Sequence, residues 1–208
     1  MTISSKQQTK LLIKYNPSIP ELSSNPGPLN IVVYGGSFSP VHKGHMAVAR
    51  GVLRNDMADE VWIMPCRRNP LKDGSELWDD ERRIWLIEQG IEYFGDDRIK
   101  LTLQELEMPS PSYTFNTFQA LMQKFPEDKF RLLVGADSYH NFNEWYQWEW
   151  LERNLSPIVY PRPGYEIHNL RPEWMLLEGV EQFDISSSKI RKMMAVGMPV
   201  SDFIPWIS

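Results

Sequence analysis

Five short apolar runs recur along the chain from Leu29 onward: IVVY, EVWIMP, IKLTL, FRLLVG and SPIVYP. Each has the length and β-branched or aromatic content of a buried strand. Amphipathic stretches with a helical period lie between them. In DDERRIWLIEQGIEYF, Ile84, Ile87, Ile91 and Phe94 share one face, and Asp79 to Glu81 place negative charge at the helix start. In SYTFNTFQALMQKF, Phe115, Phe118, Met122 and Phe125 do the same, and Ser112 after Pro111 is the expected N-cap. Strand-helix alternation of this kind predicts an α/β fold, a Rossmann-like parallel sheet with helices on both faces. Such a sheet takes ligands at the carboxyl ends of its strands.

With 208 residues, 42% of them hydrophobic, the chain has material for one substantial core. The domain is expected over residues 30–208. Residues 1–29 are rich in Ser, Pro, Asn and Gln and read as a mobile or loosely packed leader. A net charge of -5 gives no general attraction to nucleic acid or anionic membrane, so neither is an expected partner; a homo-oligomer is compatible with the sequence. Cys66 is the single cysteine, which excludes a disulfide framework and suits a reducing compartment. With no apolar run of membrane-spanning length and no secretory pattern at the start, the expected location is cytoplasmic.

Chemistry concentrates in VVYGGSFSPVHKGHMAVARGVL. If IVVY is the first strand, Gly35 and Gly36 end it, where a missing Cβ allows a tight turn and close approach to a ligand. A helix starting near Gly44 would aim its free N–H groups at the same place, an anion site by construction. His42 and His45 flank that start, within reach of a phosphate chain resting there. The spacing also suits two metal ligands, although no specific third ligand accompanies them, or a histidine that only caps the helix or packs in the core.

GGSFSPVHKGH resembles the HxGH signature of the nucleotidyltransferase superfamily, and ISSSKIR at Ile185 to Arg191 resembles its second motif. PSYT at Pro111 to Thr114, GADS at Gly135 to Ser138, WYQWE at Trp145 to Glu149 and RPGY at Arg162 to Tyr165 resemble the bacterial nicotinate mononucleotide adenylyltransferases in particular. The resemblance implies a nucleotidylyl transferase fold and an enzyme of NAD biosynthesis that joins nicotinate mononucleotide to ATP, releasing pyrophosphate. It implies contacts from His42 and His45 to the ATP phosphates, with Gly35, Gly36, Ser37 and Phe38 as the backbone cradle. Ser188 and Arg191 would grip the triphosphate, with Arg191, His42 and His45 as the catalytic set. Ile185 and Ser186 would lie by adenine and ribose, and Asp137 near the ribose or the phosphates. Trp145 would stack on the pyridine ring, Tyr113 and Thr114 would meet its substituent, and Lys72, with Pro70, would belong to a basic phosphate loop. Mg2+ would arrive on ATP, without a metal site built from protein ligands.

Three positions depart from that pattern: Ser39 stands where Asp is usual, Cys66 where Asn is common and Leu71 where His is common, with Arg67 and Arg68 nearby to compensate. Two other readings fit the same residues. One is an adenylyltransferase for nicotinamide mononucleotide or another phosphorylated acceptor. The other is a non-catalytic nucleotide-binding regulator that kept the fold.

Overall fold

The structure, a computed structural model, describes residues 27–67, 77–109 and 112–207. Six strands form one sheet: β1 (Asn30–Gly36), β2 (Glu60–Pro65), β3 (Ile99–Leu101), β4 (Lys129–Gly135), β5 (Ile158–Tyr160) and β6 (Met175–Leu176). Every neighbouring pair is parallel, in the order β3-β2-β1-β4-β5-β6. The five predicted runs are the first five strands. IKLTL contributes only its first three residues and SPIVYP only its middle, and β6 is a sixth strand that two residues are too few to signal.

The helices are α1 (Lys43–Arg54), α2 (Asp80–Phe94), α3 (Gln104–Glu107), α4 (Thr114–Lys124), α5 (Ala136–His140), α6 (Trp148–Leu155) and α7 (Ser187–Ala195). Because side chains alternate along a strand, β1 feeds two cores. Val32 and Tyr34 point to one with Met46, Val52, Leu86, Ile87 and Ile190, while Ile31 and Val33 point to the other with Phe118, Leu121, Phe142 and Leu151. Helices therefore cover both faces, as the alternation predicts. Ile204 and Trp206 also pack into the first core, and the carbonyl of Phe203 accepts from Lys43 N–H at 2.9 Å, so the last residues brace the start of α1.

Two local expectations need correction. The buried face of α2 runs through Arg83, Leu86, Ile87 and Gly90, with Ile84 and Ile91 only partly covered. It is turned toward Arg83, whose charge conceals it from an apolar count. Ser112 does not cap α4. The N-cap is Tyr113, without a side-chain bond, and the Ser112 hydroxyl donates to Glu105 Oε1 at 2.8 Å instead. Capping at α2 follows the sequence, since the Asp79 side chain accepts from Arg82 N–H at 2.8 Å and Gly95 closes the helix at φ 62°. Leu29 precedes β1 and is bonded at both ends, its N–H to Asp128 Oδ1 and its carbonyl from Lys129 N–H.

Candidate active site

The order reverses between β1 and β4, so a crevice opens at their carboxyl ends. There β1 passes through the Ser37–Val41 loop into α1, and β4 passes into α5. A cleft of about 280 Å³ occupies this point, and His42, His45, Asp137, Tyr160, Arg162, Phe183, Ile185 and Ser186 are among its walls.

His42 is the N-cap of α1 and His45 sits one turn in. Their rings are 3.7 Å apart between centroids, and His42 N–H donates to His45 Nδ1 at 3.2 Å. A nitrogen that accepts carries no proton, so neutral His45 holds its hydrogen on Nε2. Burial, then the Arg162 charge, lowers His42 to about 3; burial, then the charges of His42 and Arg162, lowers His45 well below its ordinary value. Both rings are thus neutral donors near neutral pH. His42 is 5% exposed, and neither of its ring nitrogens has a hydrogen-bond partner among the described residues. Buried polar atoms are normally bonded, and an exception at a helix N-terminus is the mark of a ligand site. A Cβ on Gly44 would come within 3.1 Å of the His42 ring, so the glycine between the histidines gives that ring its place.

The loop before α1 is held from several sides. Phe38 takes the left-handed conformation, φ 43°, whereas Gly35 and Gly36 remain in β1. The turn ascribed to the glycines is therefore made by a phenylalanine whose ring is buried against Tyr34 and His45 at 5.3 and 5.0 Å. Only the backbone of Phe38 is left to cradle a phosphate. Ser39 Oγ, at the position of the usual acid, accepts from Trp78 N–H at 2.9 Å.

The second motif docks on this loop. Arg191 Nη1 donates to Ser39 O at 2.6 Å and Nη2 to Ser188 Oγ at 3.2 Å, while Ser187 Oγ donates to Pro40 O at 2.9 Å. Ser186 caps α7, accepting from Lys189 N–H. Ile185 and Ser186 line the cleft itself.

Asp137 pairs through Oδ2 with Arg162 Nη1 at 2.8 Å, and its buried Oδ1 has no hydrogen-bond partner among the described residues. Tyr34 and Tyr160 meet OH to OH at 3.0 Å beneath them, and burial raises both phenols above their usual range. Sequence reasoning did not assign a role to Arg162, Tyr34 or Tyr160. Arg162 opens the RPGY motif just past β5, and that position at a strand's carboxyl end was the available signal.

Tyr113, Thr114 and Trp145 are not among the residues that line this cleft. The Tyr113 ring lies 5.0 Å from Tyr146, which meets Phe115 at 5.7 Å, and Trp145 packs on Phe142 at 5.2 Å. Among the described residues α4 has no capping side chain and no acid in its first turn, so its first N–H groups lie uncapped beside Tyr113. Lys72, Pro70, Leu71 and Arg68 lie outside the described residues. Among the described residues, no group of three or more His, Cys, Asp or Glu is arranged to hold a metal ion, and no helix is long and apolar enough to cross a membrane.

Comparison with known proteins agrees with this geometry. Residues 33–193 match the cytidylyltransferase-like family. A probable nicotinate-nucleotide adenylyltransferase of Bacteroides fragilis is 35% identical over 83% of this chain and 85% of its own length. The nicotinate-nucleotide adenylyltransferase of Bacillus subtilis is 33% identical over 84% of this chain and 90% of its own. The nicotinic acid mononucleotide adenylyltransferase of Plasmodium falciparum, solved in complex with NaAD, superposes with a TM-score of 0.66 at 23% identity, covering 83% of this chain and 87% of that one. This last likeness is one of fold.

Proposed function

The chain belongs to the cytidylyltransferase-like family and, within it, to the nicotinate-nucleotide adenylyltransferases, and from that premise we propose how its cleft joins nicotinate mononucleotide to ATP, giving deamido-NAD and pyrophosphate on the way to NAD. The 5'-phosphate oxygen of the mononucleotide attacks the α-phosphorus of ATP, one P–O bond forms and the bond to pyrophosphate breaks. The attacking phosphate is already an anion, so no base and no covalent enzyme intermediate are needed. The work is alignment and stabilisation of charge on the phosphates.

The observation that carries this reading is the pair of neutral histidines at the α1 N-terminus, His45 with its hydrogen on Nε2 and His42 with unpartnered ring nitrogens. Both would donate to the ATP phosphates alongside the free N–H groups of α1, and a neutral donor stabilises an anion without surrendering a proton to it. The backbone of Gly35, Gly36, Ser37 and Phe38 would line the triphosphate. Arg191, braced by Ser39 O and Ser188, would hold its planar guanidinium against the same phosphates. Ile185 and Ser186 would flank adenine and ribose at the cleft wall.

Asp137 would serve near the ribose or the phosphates, at the cleft wall. Mg2+ carried on ATP fits an anionic oxygen there, and when bound it supplies neutralisation of the phosphate charge. Trp145 would stack on the cationic pyridine, and the free N–H groups at Tyr113 and Thr114 would receive its carboxylate. Lys72 would meet the substrate phosphate. The single cysteine and the use of ATP support a cytoplasmic place of action.

The test is pyrophosphate release from ATP and Mg2+ with nicotinate mononucleotide, nicotinamide mononucleotide or phosphopantetheine as acceptor. Release is expected with the first; ATP binding without release for any acceptor would mark a nucleotide-binding regulator instead.

A further inference from the structure

Arg83 is 0% exposed and is the largest fully buried side chain among the described residues. It lies in the apolar face of α2 beside Leu86 and Ile87. Taking a guanidinium out of water is expensive unless its donors are matched, and a hydrocarbon of similar volume would pack there without that penalty. Its bonds go to particular places. Nη1 donates to the carbonyl of Ser37 at 2.7 Å, inside the loop that leads to the histidines, and Nη2 pairs with Asp80 Oδ1 at 2.5 Å.

On α3, Glu105 is the complementary buried group, 8% exposed. It accepts the Ser112 hydroxyl at 2.8 Å. The Arg67 side chain donates to the carbonyl of Leu106. Burial is the largest influence on the Glu105 carboxyl and raises it, while Ser112, Arg67 and Arg83 each oppose that. One buried base thus holds the segment that follows β1 at Ser37, and one buried acid holds the segment that follows β3 at Ser112. Ser112 directly precedes the Tyr113–Thr114 turn.

We propose that Arg83 and Glu105 are positioning residues for adenylyl transfer, Arg83 holding the nucleotide loop at the Ser37 carbonyl and Glu105 holding the acceptor turn at the Ser112 hydroxyl. Neither side chain lines the cleft; each acts through the backbone or hydroxyl that it holds. The Ser112 hydroxyl is held by Glu105 and the N-cap Tyr113 supplies no side-chain bond, so the first N–H groups of α4 have no side-chain cap among the described residues. The inference rests on the adenylyl-transfer reading above.

The test uses the full-length protein and three measurements: Tm, the two KM values and kcat from pyrophosphate release. Ser112→Ala removes one hydroxyl and no charge. It is expected to raise KM for nicotinate mononucleotide about 10-fold while leaving KM for ATP within about twofold, the scale of one lost buried hydrogen bond. Glu105→Gln keeps an acceptor for Ser112 but weakens the charge-assisted bond, and is expected to raise KM for nicotinate mononucleotide about 5-fold; Arg83→Lys, which cannot copy the fork that reaches Ser37 O, is expected to lower kcat about 10-fold by loosening the Ser37 loop. A fall in Tm with kcat and both KM values within twofold of the parent would make the two residues purely structural and overturn the proposal. If Glu105→Gln and Arg83→Lys do not fold, the KM split of Ser112→Ala decides alone. A parent protein that releases no pyrophosphate with any acceptor would instead remove the reading on which the proposal rests.

Discussion

Arg191 Nη1 and the carbonyl oxygen of Ser39, 152 residues apart in sequence, are joined by a 2.6 Å hydrogen bond. That bond clips the second motif onto the loop of the first, and Ser187 Oγ on Pro40 O reinforces it. Two motifs at opposite ends of the chain thereby become one surface for a triphosphate.

Arg191→Lys should raise KM for ATP by about 5- to 30-fold, corresponding to about 1 to 2 kcal/mol, because an ammonium cannot serve Ser39 O, Ser188 and a phosphate from one rigid plane. Steady-state kinetics with ATP varied at saturating nicotinate mononucleotide measure it. Unchanged kinetics would return SSSKIRK to the status of a capped, solvated helix.

Acid pH should destabilise the protein through its histidines. His42 is held to about 3 in the fold, against an ordinary value near 6.5 when unfolded. The unfolded chain therefore binds the proton first as pH falls. The stability due to neutral His42 is complete above about 6.5 and is lost as pH drops from there toward 3, by about 1.4 kcal/mol per unit at most. His45 is shifted in the same direction and adds to the slope. Denaturant midpoints between pH 7 and 4 should fall for the parent and flatten in His42→Gln. Across pH 6 to 8 neither histidine changes charge, so kcat/KM should show no acidic limb from them; a limb near 6.5 that vanishes in His42→Gln would contradict their neutrality.

Catalytic efficiency with nicotinate mononucleotide should exceed that with nicotinamide mononucleotide by at least about tenfold. The uncapped N–H groups at the start of α4 can donate to both oxygens of a carboxylate. A carboxamide offers one acceptor and confronts a donor with its NH2, a mismatch of about 1 to 3 kcal/mol. The ratio of the two kcat/KM values at saturating ATP and Mg2+ checks this, and equal efficiencies would discard the pocket at Tyr113 and Thr114 while leaving adenylyl transfer in place.

How much of this was legible in the sequence depends on whether a feature is local. Apolar runs such as EVWIMP, buried along its whole length, announce a central strand because both faces of a parallel sheet are covered. The histidine pair was legible because a strand end, a loop and a helix start follow one another without interruption. The Ser112 cap was misread because the helix starts one residue later than that serine suggests, with Tyr113 at its N-cap, and Glu105 takes the Ser112 hydroxyl from a different helix. Arg83 was invisible for a related reason. An arginine one position from an apolar stripe reads as solvent-exposed, and its partner, the Ser37 carbonyl 46 residues earlier, leaves no trace in side-chain pattern. Arg162 and the paired phenols of Tyr34 and Tyr160 likewise meet only when β5 is added beyond β4.

The most direct test of the central claim, that a neutral His45 donates from Nε2 to the reacting phosphates, is the turnover number of His45→Ala in pyrophosphate release at saturating ATP, Mg2+ and nicotinate mononucleotide. Loss of one preorganised donor is expected to lower kcat by about 100- to 1000-fold, equivalent to about 2.7 to 4 kcal/mol, in a protein whose circular dichroism matches the parent. A folded His45→Ala variant that turns over near the parent rate would contradict the account and take His45 out of the mechanism.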